Sequence, residues 1–208
     1  MILSHRHKFI FIHIWKTGGT SMQKALSSYA ENPDARGGLL ERIIKTKKKQ
    51  ASTDFDQHIT LPELRNQLDK KYFNQYYKFA FVRNPLSWEV SYYHFITQKP
   101  NNHPKRDEII QLGSFDSYIQ WAADNEMHMH SQKQFVYDSD GKCLADFIGK
   151  YEELELGVHE VLKHLQLPPL DLEHLNSSNH TDFKQYYTNE TEQLVREILK
   201  DDFTTFGY

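Results

Sequence analysis

The sequence predicts a three-layer α/β fold: a central, mainly parallel sheet flanked by helices on both sides. Three observations carry this reading. Residues 9–15 and 78–82 are near-continuous apolar runs, broken only by His13 in the first and opened by Lys78 in the second. Such runs suit strands covered on both faces. Each run ends in a turn that opens a helix, at Gly18-Gly19 and at Arg83-Asn84-Pro85. Further apolar segments of strand and helix type follow, in the alternating order of an α/β chain, which puts ligands at the carboxyl ends of the strands.

The first of these turns organises the chain. A strand over 9–15 leads through Lys16 and Thr17 to Gly18 and Gly19, and Thr20 and Ser21 open a helix over 20–29 with Met22, Ala25, Leu26 and Tyr29 on one side. The glycines let the backbone turn sharply and approach a ligand closely. The free amides and positive end of the helix then make an anion site. Lys16 adds a full charge, and Thr17, Thr20 and Ser21 add hydroxyls. The nucleotide-triphosphatase loop places its lysine after the second glycine; here Lys16 precedes both. A plain strand–turn–helix with a surface lysine is the alternative.

Composition sets the bounds. With 208 residues, 38% hydrophobic and 25% charged, the chain reads as one soluble domain over 1–208. A net charge of −3 gives no global signal for nucleic acid. The single cysteine, Cys143, excludes an internal disulfide and fits a reducing, cytoplasmic setting. No run approaches the roughly 18 apolar residues of a membrane span, and the N-terminus carries no signal-peptide pattern. Glycosylation-type triplets at Asn176, Asn179 and Asn189 are read as chance.

The remaining elements follow in order. Pro33, Gly37 and Gly38 mark turns, residues 39–44 suit a short helix, and Lys45, Lys47, Lys48 and Lys49 form a basic run, either a solvated loop or a contact for an acidic acceptor. Thr60 and Glu63 form a capping box with Pro62 in the first turn, predicting a helix over 60–68 with His58 just before it. Residues 72–77 lead into the strand 78–82. Asn84 caps and Pro85 opens a helix to about 97, with Leu86, Val90 and Tyr93 as its core stripe. Ser87 and Ser91 share a face, and Ser91 projects on the side of Arg83. Arg83 with Ser91 is therefore a second anion site, the guanidinium fork suiting a terminal phosphate. A structural ion pair is the alternative for Arg83.

Residues 99–113, with Pro100, Asn101, Asn102, Pro104 and Gly113, read as a loop. Ser114 caps a helix over 115–125. His128 and His130 form a His-x-His element without a third ligand at metal spacing, so no metal is expected. Residues 135–137 and 144–148 read as strands joined at Asp140-Gly141. Residues 152–165 form a core-packing helix ended by Pro168 and Pro169, and Asn189 with Glu192 caps a last helix over 190–200.

Together the two turn motifs resemble those of the sulfotransferases. Residues 13–21 resemble their 5′-phosphosulfate loop, and residues 79–91, with Arg83-Asn84-Pro85 and Ser91, resemble their 3′-phosphate motif. The likeness is nearest to the carbohydrate sulfotransferases of the heparan and chondroitin uronosyl 2-O type and their bacterial relatives. His58, Gln132, Phe147 to Glu152, Asp202-Phe203 and Gly207-Tyr208 extend it over most of the chain.

The resemblance implies a P-loop-like fold and the donor 3′-phosphoadenosine 5′-phosphosulfate (PAPS), whose sulfuryl group passes in line to an acceptor hydroxyl, expected on a glycan. It implies that Lys16 contacts the leaving phosphate, that Thr17, Gly18, Gly19, Thr20 and Ser21 hold the 5′ end, that Arg83 and Ser91 hold the 3′-phosphate, and that His58 is the general base. No metal is required in that scheme. Relatives often carry a basic residue near positions 177–178; here the stretch is Asn176-Ser177-Ser178-Asn179-His180, which leaves that nucleotide contact open. The long N-terminal stem of the membrane-anchored members is missing, which implies a soluble cytoplasmic enzyme of bacterial type. A small-molecule P-loop kinase and a non-catalytic nucleotide-binding module are the competing readings.

Overall fold

A computed structural model describes residues 1–26, 29, 56–98, 103–169 and 182–208. The turns at Pro33, Gly37 and Gly38, the short helix at 39–44, the lysines at 45 and 47–49, residues 100–102 and the stretch 176–180 lie outside the described residues.

Among the described residues the sheet has four strands in the order β1-β2-β3-β4, namely β1 (Ile2–Ser4), β2 (Phe9–Ile12), β3 (Tyr77–Val82) and β4 (Phe147–Lys150). β2, β3 and β4 run parallel, with Ile12 opposite Ala80 and Val82 opposite Lys150. β1 adds an antiparallel edge strand that periodicity did not single out.

Strand alternation explains the unbroken apolar runs. Ile10, Ile12, Ala80 and Val82 face one layer, built by helices α2 (Leu61–Gln67) and α3 (Lys70–Gln75) with Phe135, Val136 and Phe206. Phe9, Phe11, Phe79 and Phe81 face the other, where Met22 and Leu26 of α1 (Gly19–Leu26) pack with Val158, Val161 and Leu162. Both faces are covered, so no polar alternation is needed. A third, helical cluster gathers around α4 (Pro85–Gln98), through Leu86, Trp88, Val90, Tyr92 and Ile96. It joins α4 to α5 (Arg106–Gln111), α6 (Phe115–Asn125) and the C-terminal helices.

Caps fall largely where composition puts them. Thr60 and Glu63 form the capping box of α2, Asn84 Oδ1 accepts from the amides of Leu86 and Ser87, and Ser114 caps α6. Several expectations are corrected. The segment 99–113 is not all loop, since it contains α5. Asp69 caps α3 ahead of the second strand. Phe135 lies not in a strand but in the short helix α7 (Lys133–Val136). Its start is held by Asp202, whose carboxylate accepts from Ser131 Oγ and from the amides of Gln132 and Lys133. That distant anchor overrides local strand propensity. The expected hairpin survives in reduced form, as an isolated Tyr137–Cys143 bridge with the Asp138 and Leu144 amides bonded to the Lys142 and Val136 carbonyls, and the expected strand over 144–148 starts only at Phe147, in β4. Helix α8 (Leu154–His164) ends ahead of Pro168 and Pro169, through a turn with Gln166 at φ 54°.

The last helix is capped one residue early. Thr188 and Thr191 exchange backbone and hydroxyl hydrogen bonds at the start of α9 (Asn189–Ile198). Glu192, expected in that box, pairs with Arg196 one turn on. The chain then breaks at Leu199 and continues as α10 (Lys200–Phe206), which carries Asp202.

Asp202→Ala strands one buried and one part-buried backbone amide and a hydroxyl, and should cost on the order of 3 kcal/mol. The urea midpoint reads this directly; a loss below about 1 kcal/mol would mean that Asp202 does not anchor α7.

Candidate functional site: three strand tips and a carbonyl-pinned loop

Because β2, β3 and β4 are parallel and in register, their carboxyl ends deliver His13–Lys16, Arg83-Asn84 and Tyr151-Glu152 to one edge of the sheet. The proposed anion sites at the first two tips therefore share a location. Arg83 Nη1 donates to the Lys16 carbonyl at 3.3 Å.

The loop after β2 is held by its carbonyls. His58 Nδ1 donates to the His13 carbonyl at 2.9 Å, Thr17 Oγ1 to Ile14 at 2.9 Å, Trp88 Nε1 to Trp15 at 2.6 Å, and Arg83 Nη1 to Lys16 at 3.3 Å. Four consecutive carbonyls thus each accept one side-chain donor. Lys16 itself adopts φ 59°, and its Nζ lies 4.4 Å from the centroid of the Phe95 ring. The Thr17 hydroxyl is spent inside the turn rather than offered outward.

Gly18 and Gly19 are each required, for different reasons. Gly18 has φ +83°, and a Cβ there would meet Leu154 and Tyr151 at 3.1 and 3.2 Å. At Gly19 a Cβ would fall 1.7 Å from the His13 ring. The bare backbone lets the imidazole lie against the helix start. The Met22 amide bonds back to Gly18 and opens the intrahelical ladder, so Thr20 and Ser21 lie in the first turn, at the positive end of the helix. Thr20 is exposed and Ser21 half-buried. Their amides and hydroxyls suit an anion.

Arg83 is buried at the second tip. Its Nε donates to Ser87 Oγ at 2.9 Å, and its guanidinium lies 4.5 Å from the Tyr151 ring centroid. Among the described residues no carboxylate lies at ion-pair distance from it. Burial lowers its pKa, while Tyr151, Glu152 and Tyr208 oppose the change; arginine stays charged. The hydroxyl on Arg83 is Ser87, one turn nearer than Ser91. Ser91 is 8% exposed on the same helix face. The Arg–Ser spacing of one turn was a signal that could have found Ser87. The Gln132 side chain clamps the Arg83 backbone in both directions, accepting from its amide at 2.8 Å and donating to its carbonyl at 2.7 Å.

His58 is half-buried, its ring 4.5 Å from that of His13 and 5.2 Å from that of Trp15. A carbonyl only accepts, so the proton of neutral His58 is on Nδ1 and the lone pair on Nε2. Burial, the largest influence, lowers its pKa. That arrangement keeps a basic nitrogen available at neutral pH. His13, which breaks the apolar run and opens the 13–21 motif, carries no individual role in the sequence reading. Its Nδ1 accepts from Gln57 Nε2 at 3.2 Å, and its pKa is pulled down to about 3 by burial, then by His58.

His128 and His130 are parted. His128 is exposed, whereas His130 is buried and bonded to Glu89 at 2.8 Å, with Glu126 at 3.6 Å. Among the described residues no group of three or more His, Cys, Asp or Glu is arranged to hold a metal ion.

A model of the sulfotransferase family matches residues 1–208. Carbohydrate sulfotransferase 14 of Mus musculus is 24% identical over 187 residues, covering 81% of this chain and 47% of the relative. The Homo sapiens protein of that name is 22% identical over the same length and shares. An uncharacterised protein of Archaeoglobus fulgidus is 32% identical over 116 residues, covering 50% of this chain and 80% of its own. The chain spans about half the length (47%) of the curated carbohydrate sulfotransferases it matches. Among solved structures, mouse sulfotransferase SULT7A1 complexed with PAP superposes with a TM-score of 0.50 at 14% identity, covering 97% of this chain and 85% of that one. This likeness shows a shared α/β fold.

The buried histidines set opposite limbs of a pH–stability curve. His13 is neutral when folded but titrates near 6.5 when unfolded, so its contribution is lost as pH falls from about 6.5 toward about 3. His130 is opposite. Burial alone would lower its pKa, but Glu89 and Glu126 outweigh burial and raise it to about 9. Its contribution is full below about 6.5 and fades as pH rises to about 9. His13→Gln should flatten the acid limb and His130→Gln the alkaline limb in urea denaturation. Parallel curves for variants and parent would refute the assignment.

Proposed function

The chain belongs to the sulfotransferase family, and from that premise we propose that it transfers a sulfuryl group from PAPS to a carbohydrate hydroxyl, with residues 1–208 acting as one catalytic domain. The observation that carries the reading is the contact of Arg83 Nη1 with the Lys16 carbonyl at 3.3 Å. It supports one cleft with a cation at each end, matched to a nucleotide that is anionic at its 5′ and 3′ positions.

In this mechanism the loop amides and the hydroxyls of Thr20 and Ser21 hold the 5′-phosphosulfate, with Thr17, Gly18 and Gly19 shaping the turn. Arg83 and Ser91 bind the 3′-phosphate. His58 Nε2 takes the proton of the acceptor hydroxyl as its oxygen attacks sulfur. The bond from sulfur to the bridging oxygen breaks, and Lys16 stabilises the charge that grows on the leaving phosphate. Positioning and preorganised charge then carry most of the rate, as in phosphoryl transfer. Lys16 supplies the cationic role, so the scheme calls for no metal ion.

The carbohydrate acceptor is supported by the named carbohydrate sulfotransferase relatives. No described helix is long and apolar enough to cross a membrane. A reducing, cytoplasmic setting is proposed from the lone Cys143. The kinase reading lacks support, because Lys16 precedes both glycines.

His58→Ala should lower transfer by about 10²- to 10⁴-fold, far more than the loss of adenosine 3′,5′-bisphosphate affinity that follows from freeing the His13 carbonyl. Lys16→Ala and Arg83→Ala should weaken the bisphosphate-induced rise in melting temperature. Unchanged affinity in both cation variants would defeat the site. Full activity in His58→Ala would remove the base, and a parent that binds the bisphosphate but transfers nothing would favour the non-catalytic module.

A further inference from the structure

We propose that Trp15 is a stacking platform for a sugar ring of the acceptor, placed to present one hydroxyl to His58; the inference rests on the carbohydrate reading above. Trp15 directly precedes Lys16 and remains 39% exposed. The other tryptophans are accounted for within the fold. Trp88 is buried and bonded to the Trp15 carbonyl, and the Trp121 indole donates to Glu108.

Trp15 is fixed without being covered. Its carbonyl is held at 2.6 Å by Trp88, and its ring makes edge contacts with His58 at 5.2 Å and 82° and with Phe135 at 6.5 Å and 64°. Among the described residues its indole N–H makes no hydrogen bond. An exposed, immobilised indole with a spare donor, beside a catalytic base, offers a large contact at low entropic cost. A pyranose matches it. The C–H face of the sugar covers the ring, its oxygens meet the indole N–H, and its rim hydroxyls point sideways toward His58 Nε2. A flexible aliphatic alcohol gains little from such a surface.

Position separates sugar from adenine. Adenine is attached to the ribose whose 3′-phosphate is assigned to Arg83, and that guanidinium lies against Tyr151. Trp15 instead contacts His58, the base assigned to the acceptor hydroxyl. The group that reaches its ring is therefore the acceptor.

The test uses the full chain saturated with adenosine 3′,5′-bisphosphate, and hexuronic acid–hexosamine oligosaccharides with a short aliphatic alcohol as control. Saturation-transfer NMR should light up the sugar C–H protons in the parent. That signal should be largely lost in Trp15→Ala and kept in Trp15→Phe. Saccharide affinity should fall at least about fivefold in Trp15→Ala, with bisphosphate affinity unchanged within twofold. The bisphosphate-induced rise in melting temperature serves as the folding control. Equal saccharide binding in parent and Trp15→Ala overturns the platform while leaving the carbohydrate acceptor standing. A matching loss of bisphosphate affinity would assign the ring to adenine instead. A parent that binds no saccharide but sulfates the alcohol overturns the carbohydrate reading itself, and the platform with it.

Discussion

Four neighbouring backbone carbonyls, from His13 to Lys16, each taken by a side-chain donor from a different part of the chain, are the constraint on which the site depends. Pinning the carbonyls fixes the direction in which the loop's amides point, and oriented amides are what an anionic ligand needs. The pins come from the segment before α2, from the loop itself, from α4 and from the end of β3. The loop geometry is thus a property of the whole fold, not of the glycine turn alone.

Among the described residues, the pin at Lys16 is a buried cation with no carboxylate at ion-pair distance. Burying an isolated charge is costly, and here the cost is offset by Ser87, by the Lys16 carbonyl and by the face of Tyr151. None of these cancels the charge, so the positive potential remains for a ligand. The backbone of Arg83 cannot drift, because Gln132 holds both its amide and its carbonyl, and the Gln132 amide is in turn held by Asp202. A residue near the end of the described chain thereby sets the position of the second strand tip.

Much of this was legible in the residues. The apolar runs located β2 and β3, and the Gly18-Gly19 and Arg83-Asn84-Pro85 turns located both tips. The partners of those tips were not legible. Ser87 was passed over for Ser91, and His13 read as an interruption in a strand. Phe95, Trp88 and Tyr151 meet the loop only because parallel register and α4 bring distant segments together. Phe135 went wrong for the same reason: the Asp202 carboxylate that makes its segment helical lies more than sixty positions downstream. Local pattern reads local structure, and long-range hydrogen bonds escape it.

The left-handed backbone at Lys16 has a further consequence. A side chain with a Cβ sits there at a penalty of roughly 1–3 kcal/mol that glycine would not bear. Thermostability screening would therefore drift toward glycine at this site, because the mutant chain is more comfortable in that bend. The same drift would strip the cleft of its ammonium group. If Lys16 plays the role proposed for it, robustness and turnover are set against each other at a single residue, and a hardened variant would emerge inert.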